Sequence, residues 1–302
     1  MKSSVSVTLC RAGIGLVFLV FLLQSGCGQH RAAALGPSER GASGPVGQPT
    51  AWRAEGHRTV PVVLIVPPYR QSDALVQAWN EGLGKPFDLV CTMHTPEDLK
   101  DTRRLEATLA LLKVGAHTYW VPSFAAVERG DAEIPSSARW LSYDPEPWGL
   151  TPKEELADMV ATAQAVQAFC RRHGLKVAVT PIYSKFEDSF SLERVRQLAP
   201  YYDAYILQCQ DLQKDPAQRL RATEFLRAAK DAIHGVNPDC LVGCQLGACD
   251  SYGAGEPSGG VVAAMQLYES TRNTVEIYSV WWEPEEQNMI RLLRAMDAPT
   301  GG

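Results

Sequence analysis

From residue 60 to the C-terminus the sequence repeats one pattern eight times, a short apolar run followed by a longer amphipathic one. The apolar runs are VPVVLIV (60–66), FDLVCTM (87–93), HTYWV (117–121), RWLSYD (139–144), LKVAVTP (175–181), DAYILQC (203–209), CLVGCQL (240–246) and VEIYSVW (275–281). Their length and their β-branched and aromatic content mark them as strands. Strands separated by helix-length segments need crossover connections, which argues a parallel sheet. Eight such units in about 240 residues predict closure into a (β/α)8 barrel, an α/β fold filling a single domain at 59–302. The competing architecture is an open doubly wound sheet, which carries a glycine-rich turn after its first strand. Here the first strand runs into Pro67, Pro68, Tyr69 and Arg70, so the barrel is the expectation.

Two connecting helices announce their ends. In TPKEELADMVATAQAVQAFCRRHG (151–174), Thr151 reads as the N-cap, Pro152 as the first helical residue and Glu154 as the partner in a capping box. Leu156, Met159, Val160, Ala163, Val166 and Phe169 form one apolar face; Arg171, Arg172 and His173 meet the carbonyl end, and Gly174 stops the helix. In the segment from Asp215, that residue caps, Pro216 starts, and Leu220, Phe225, Leu226, Ala229 and Ile233 face inward. The weakest helical stretch is 123–136, interrupted by Pro135 and several charges.

The first 58 residues do not follow the repeat. Residues 12–23, AGIGLVFLVFLL, are almost wholly apolar and lie behind Lys2 and Arg11. That run is short for a bilayer span and suits the apolar core of a signal peptide, assigned to 1–26. Ser25 and Gly26 directly before Cys27 resemble a bacterial lipobox, with Gln24 where leucine is usual. By that reading Cys27 is lipidated, and 27–58, rich in Ala, Gly, Ser and Pro, is a tether. The expected location is the cell envelope, on the outer membrane or its periplasmic face, with the membrane as a partner through the N-terminal lipid. A plain secretory signal and an uncleaved anchor are the alternatives.

An exported chain permits disulfides. Cys91 and Cys170 sit in core patterns, whereas Cys209, Cys244 and Cys249 fall near neighbouring strand ends, where one bridge is an option beside free thiols. Cys240, Cys244 and Cys249 lack the paired spacing of a zinc site. The net charge of −5, without a Lys/Arg run, excludes nucleic acid as a partner class. No Gly-x-Ser-x-Gly or His-Glu-x-x-His motif is present, which leaves serine hydrolases and zinc proteases without support. No cofactor and no metal are expected.

In a (β/α)8 barrel the chemistry lies at the C-terminal ends of the strands. Those ends carry Tyr69, His94, Trp120, Asp144 with Glu146 and Trp148, Tyr183 with Lys185, Gln208 with Gln210, Gln245, and Trp281, Trp282 and Glu283. Aromatic faces and amides suit a carbohydrate ligand, which stacks on one face and hydrogen-bonds at its edges. Side chains alternate along a strand, so Ser142, Asp144 and Glu146 share one face. If that face is inward, two carboxyls converge over the barrel mouth, one pKa rises, and a proton donor stands beside an anion. Glycosidic bond cleavage needs that acid.

These residues resemble the chitinase-type (family 18) glycoside hydrolases and their barrel relatives. The family motif D-x-x-D-x-D-x-E, laid on RWLSYDPE (139–146), matches at Asp144 and Glu146, while Arg139 and Ser142 stand where the first two acids would be. The resemblance implies a glycoside hydrolase-like barrel with Glu146 as general acid/base and Asp144 orienting the acetamido group of the substrate. The family's tryptophan at the end of strand eight corresponds to Trp281 or Trp282. The alternative is a catalytically silent barrel that binds glycan or cell-wall material through Trp120, Trp281 and the glutamines. A third option is a metal-dependent hydrolase using Asp144, Glu146 and His94. Each residue also has a plainer role open to it. DPEPW (144–148) is turn chemistry ahead of a helix, Trp281 and Trp282 fit core packing, Gln208 and Gln210 fit structural hydrogen bonding, and Glu283 fits a helix cap. GACDSYGAGEPSGG (247–260) has the composition of a mobile loop at the rim.

Overall fold

All eight expected strands form. They are β1 (Val62–Val66), β2 (Leu89–Thr92), β3 (Ala116–Val121), β4 (Ala138–Tyr143), β5 (Lys176–Val179), β6 (Ala204–Gln208), β7 (Leu241–Gly247) and, after a short pair β8 (Ser251–Tyr252) and β9 (Glu256–Pro257), β10 (Ile277–Trp281). The computed structural model describes residues 58–66, 73–92, 102–130, 134–146, 150–181, 192–248, 251–252, 256–257, 260–281 and 286–298. The eight long strands are all parallel and close on themselves in the order β1-β10-β7-β6-β5-β4-β3-β2. This is a (β/α)8, or TIM, barrel. β8 and β9 pair antiparallel within the segment expected to be a loop. The signal, lipobox and tether lie outside the described residues.

The strands read as continuous apolar runs because both of their faces are covered. Outward residues such as Leu64, Val90, Leu141 and Val242 pack under the helices in one large cluster. Inward residues, among them Val63, Ile65, Cys91, Trp140 and Ile206, form a second cluster inside the barrel. Trp140 fills the lower barrel, with the Lys176 ammonium 5.3 Å from its ring centre. At Gly243 a Cβ would stand 2.7 Å from Ile206 Cγ1 and 2.9 Å from Ile277 Cγ2, closer than atoms pack. The base of the barrel is closed by Arg58, whose guanidinium donates to both carboxylate oxygens of buried Asp88 at 2.6 and 2.8 Å. Asp88 also accepts from the backbone N–H of Val62 and of Lys85.

Three local expectations are corrected. The helix after β4 is broken, into Lys153–Ala157 and Met159–His173. Thr151 does not cap it. The Thr151 hydroxyl accepts from the Glu146 N–H at 2.9 Å and donates to the Pro122 carbonyl at 2.6 Å. The true cap of the longer segment is Asp158, which accepts from the Ala161 N–H. At the other end Gly174 takes the left-handed conformation (φ 65°) and the Leu175 N–H returns to the Cys170 carbonyl, the expected stop. In the helix Pro216–His234 Asp215 caps as expected, but Leu220 is 60% exposed. It lies off the buried stripe of Ala222, Leu226, Ala229 and Ile233. Among its described residues the weak stretch at 123–136 yields one short helix, Phe124–Glu128.

Of the three cysteines near neighbouring strand ends, Cys209 and Cys244 are buried free thiols and form no bridge; Cys249 lies outside the described residues. The Cys244 Sγ points to the Gln245 carbonyl of its own strand at 3.9 Å. Burial, then the neighbouring Cys209, push its pKa up, so the thiol stays protonated.

Candidate functional site

The ladder bonding continues one residue past β4. The Asp144 N–H donates to the Val121 carbonyl of β3, and the Thr180 N–H donates to the Tyr143 carbonyl, so the ladder holds Asp144 in place. Alternation along this stretch turns Ser142 and Asp144 inward, where both are buried (5% and 2% exposed). Asp144 Oδ2 accepts from the indole Nε1–H of Trp120 at 2.9 Å, and Asp144 Oδ1 accepts from Gln208 Nε2 at 2.9 Å. The same Gln208 nitrogen donates to Glu146 Oε1 at 2.8 Å. One carboxamide, placed by β6, therefore bridges the two acids at the end of β4.

The Gln208 nitrogen meets a third acceptor, the Thr180 carbonyl, at 2.7 Å. Three acceptors around one nitrogen fix which end of the amide faces the acids, because an oxygen there would meet only lone pairs. Two N–H bonds cannot satisfy three acceptors fully. A proton on one of the carboxyls relieves that shortage. Burial works in the same direction, pushing the Asp144 pKa up from 3.8 to about 7 against the lowering effect of the bonds from Trp120 and Gln208. The other side of the amide is also held, since Gln208 Oε1 accepts from Gln210 Nε2 at 3.0 Å.

The rim is braced by a residue that the sequence does not flag. Glu155 is buried, and its carboxylate accepts from Ser123 Oγ (2.9 Å), the Phe124 N–H (3.0 Å), the Ala125 N–H (2.9 Å) and Tyr143 Oη (2.8 Å). It thereby ties the turn after β3, which follows Trp120, to the end of β4, which precedes Asp144. In the sequence it is the second of two adjacent glutamates in a polar helix start, indistinguishable from a solvated acid. Only the register of the broken helix buries it.

Of the residues expected at the site, Asp144, Glu146, Trp120, Gln208 and Gln210 are joined in one hydrogen-bonded network. Gln245 is opposite Gln208 on β7 and is 1% exposed. Trp281, partly buried, packs against the inward cluster that includes Trp120. Tyr69, His94, Trp148, Tyr183, Lys185, Trp282 and Glu283 lie outside the described residues. Among the described residues no cluster of three or more His, Cys, Asp and Glu is disposed to hold a metal ion. A separate cavity, lined in part by Arg171, Lys176, Pro200 and Asp203, opens near the start of β5, at the opposite end of the barrel. Asp203 there is occupied by the Val177 N–H.

No family model matches the chain, and no curated protein matches it. The chain is similar in structure to a GH18 chitinase from Pseudoalteromonas aurantia, at 9% identity and a TM-score of 0.47 over 77% of this chain and 99% of that one. A hydroxymethylglutaryl-CoA lyase from Pseudomonas aeruginosa gives 12% identity and 0.41 over 74% and 76%. A mutant tryptophan synthase alpha-subunit from Pyrococcus furiosus gives 11% and 0.44 over 80% and 97%. What they share is the barrel. Their chemistries differ, and a fold this widely used does not choose among them.

Proposed function

We propose that this protein is a glycoside hydrolase-like barrel, with Glu146 as the general acid/base and Asp144 as its partner. The observation that carries the reading is the Gln208 bridge between the two carboxyls, with Trp120 in the inward cluster and Trp281 packed against it. Asp144 is the more buried of the two and is engaged on both oxygens. It suits the supporting role, retaining or releasing a proton near neutral pH. Glu146, less buried and further along the chain, suits the role facing the ligand.

The geometry also bears on mechanism. The two acids lie 2.9 and 2.8 Å from one nitrogen, so their facing oxygens are no further apart than those two distances together. An inverting pair needs ~6.5–9.5 Å to seat a water between sugar and base. Neighbours on one strand end also cannot stand on opposite sides of a scissile bond. Asp144 and Glu146 are therefore one catalytic arm, and the nucleophile comes from elsewhere. The chitinase-like reading supplies it from the acetamido oxygen of the substrate itself, with Asp144 orienting that group.

We further propose that the domain is exported and anchored by lipid at Cys27, with glycan of the cell envelope as its partner. The test of activity is the release of reducing ends from a panel of oligosaccharides by the purified protein. Turnover supports the enzyme. Saturable binding without turnover supports the silent glycan-binding barrel.

A further inference from the structure

Gln245 is among the most enclosed polar side chains of the barrel, at 1% exposure, and it faces inward on β7. Its oxygen accepts a long bond from Ser279 Oγ at 3.4 Å. Its nitrogen Nε2 is buried and has no hydrogen-bond partner among the described residues. A buried amide N–H without an acceptor is costly, and native structures hold few of them. Its position explains where the acceptor would come from. Gln245 is the cross-strand partner of Gln208, the residue that bridges Asp144 and Glu146. Adjacent strands lie about 4.8 Å apart, so the two amides are neighbours at one level of the mouth. Two residues beyond Gln208, and bonded to it, stands Gln210, whose Oε1 is also buried and without a partner among the described residues.

We infer that Gln245 is a specificity-determining residue of this site, donating its Nε2–H to a hydroxyl or amide oxygen of an uncharged sugar, while Gln210 Oε1 accepts from a donor on the same ligand. The inference rests on the glycan reading above and adds to it the chemistry of the ligand. An orphaned donor and an orphaned acceptor stand next to Gln208, the amide that joins the two acids. That arrangement matches a group which both accepts and donates, as hydroxyls and secondary amides do. It disfavours an anionic ligand, which would meet Asp144 and Glu146. A site built to satisfy a polar group discriminates against ligands lacking it, because its own buried atoms are then left unpaired.

The test compares wild type with Gln245→Leu, which keeps the side-chain bulk and removes the orphaned amide. Two readouts move in opposite directions. The free variant should melt a few degrees higher, roughly 2–4 °C, because an unsatisfied buried group is gone. Its affinity for the oligosaccharide that best stabilises wild type, drawn from chitotriose, cellotriose and mannotriose, should fall roughly three- to tenfold. Gln245→Glu, which removes a donor and adds charge beside two acids, should lose both stability and binding. If the leucine variant binds the trisaccharide as well as wild type, or melts no higher when free, Gln245 is not a ligand-reading residue and the inference falls alone. If none of the trisaccharides stabilises wild type, the glycan reading falls, and the inference with it.

Discussion

Replacing Asp144 by asparagine should change how stability depends on pH, and the structure gives the size of the change. In the unfolded chain this carboxyl titrates near 3.8, whereas burial in the barrel holds it at about 7. Between those values the native protein keeps a proton that the unfolded chain has released, so raising the pH favours unfolding. The stability that the neutral carboxyl permits is fully present below pH ~4 and is lost as the pH passes ~7. Each pKa unit is worth about 1.4 kcal/mol, so the full effect is roughly 4 kcal/mol. For a domain of this size that amounts to roughly 10 °C in Tm. Asparagine is neutral throughout and removes the dependence. It also turns an NH2 group toward either Trp120 Nε1 or Gln208 Nε2, which costs about 1 kcal/mol. The difference in Tm, variant minus wild type, should therefore be slightly negative at pH 4 and clearly positive at pH 8. Calorimetric scans across that range measure it, and other titrating groups cancel in the difference. A difference that stays constant with pH would refute the claim that this carboxyl is held protonated by its surroundings.

Two further outcomes are expected. Glu155→Gln replaces one acceptor oxygen with a donor among four donating groups, and urea unfolding should show a loss of about 2–4 kcal/mol; a loss under 1 kcal/mol would mean that the brace is not structural. Cys27→Ser should move the protein from the membrane fraction to the soluble fraction and abolish labelling with radioactive palmitate, while persistent labelling would place the lipid on another residue.

The barrel was legible because its determinants are repetitive. Strand length, β-branched content and spacing recur eight times, and each observed strand lies within two residues of its expected run, since burial on both faces leaves no polar interruption. The pairing of Asp144 with Glu146 was legible from alternation alone. Gln208 was legible as a residue at a strand end, but its bridging of the acids was not, because that depends on the register between β4 and β6 across β5. Thr151 illustrates the limit of local motifs. Its capping box is correct in composition, yet the Glu146 N–H takes the acceptor side of the hydroxyl, which the Pro122 carbonyl of a neighbouring loop orients by accepting its proton. Leu220 misleads in the opposite way, an apolar residue at helical spacing that the barrel leaves uncovered. Glu155 could not be found at all, since its partners Ser123, Phe124 and Ala125 are about thirty residues away.

The central claim is that Glu146, held beside Asp144 by Gln208, delivers a proton to a glycosidic oxygen. Its most direct measurement is the rate of reducing-end release by Glu146→Gln against wild type, with ligand affinity determined on the same samples. The account predicts a fall in kcat of about 10²–10⁴-fold with affinity nearly unchanged. A variant that turns over an oligosaccharide as fast as wild type would contradict it.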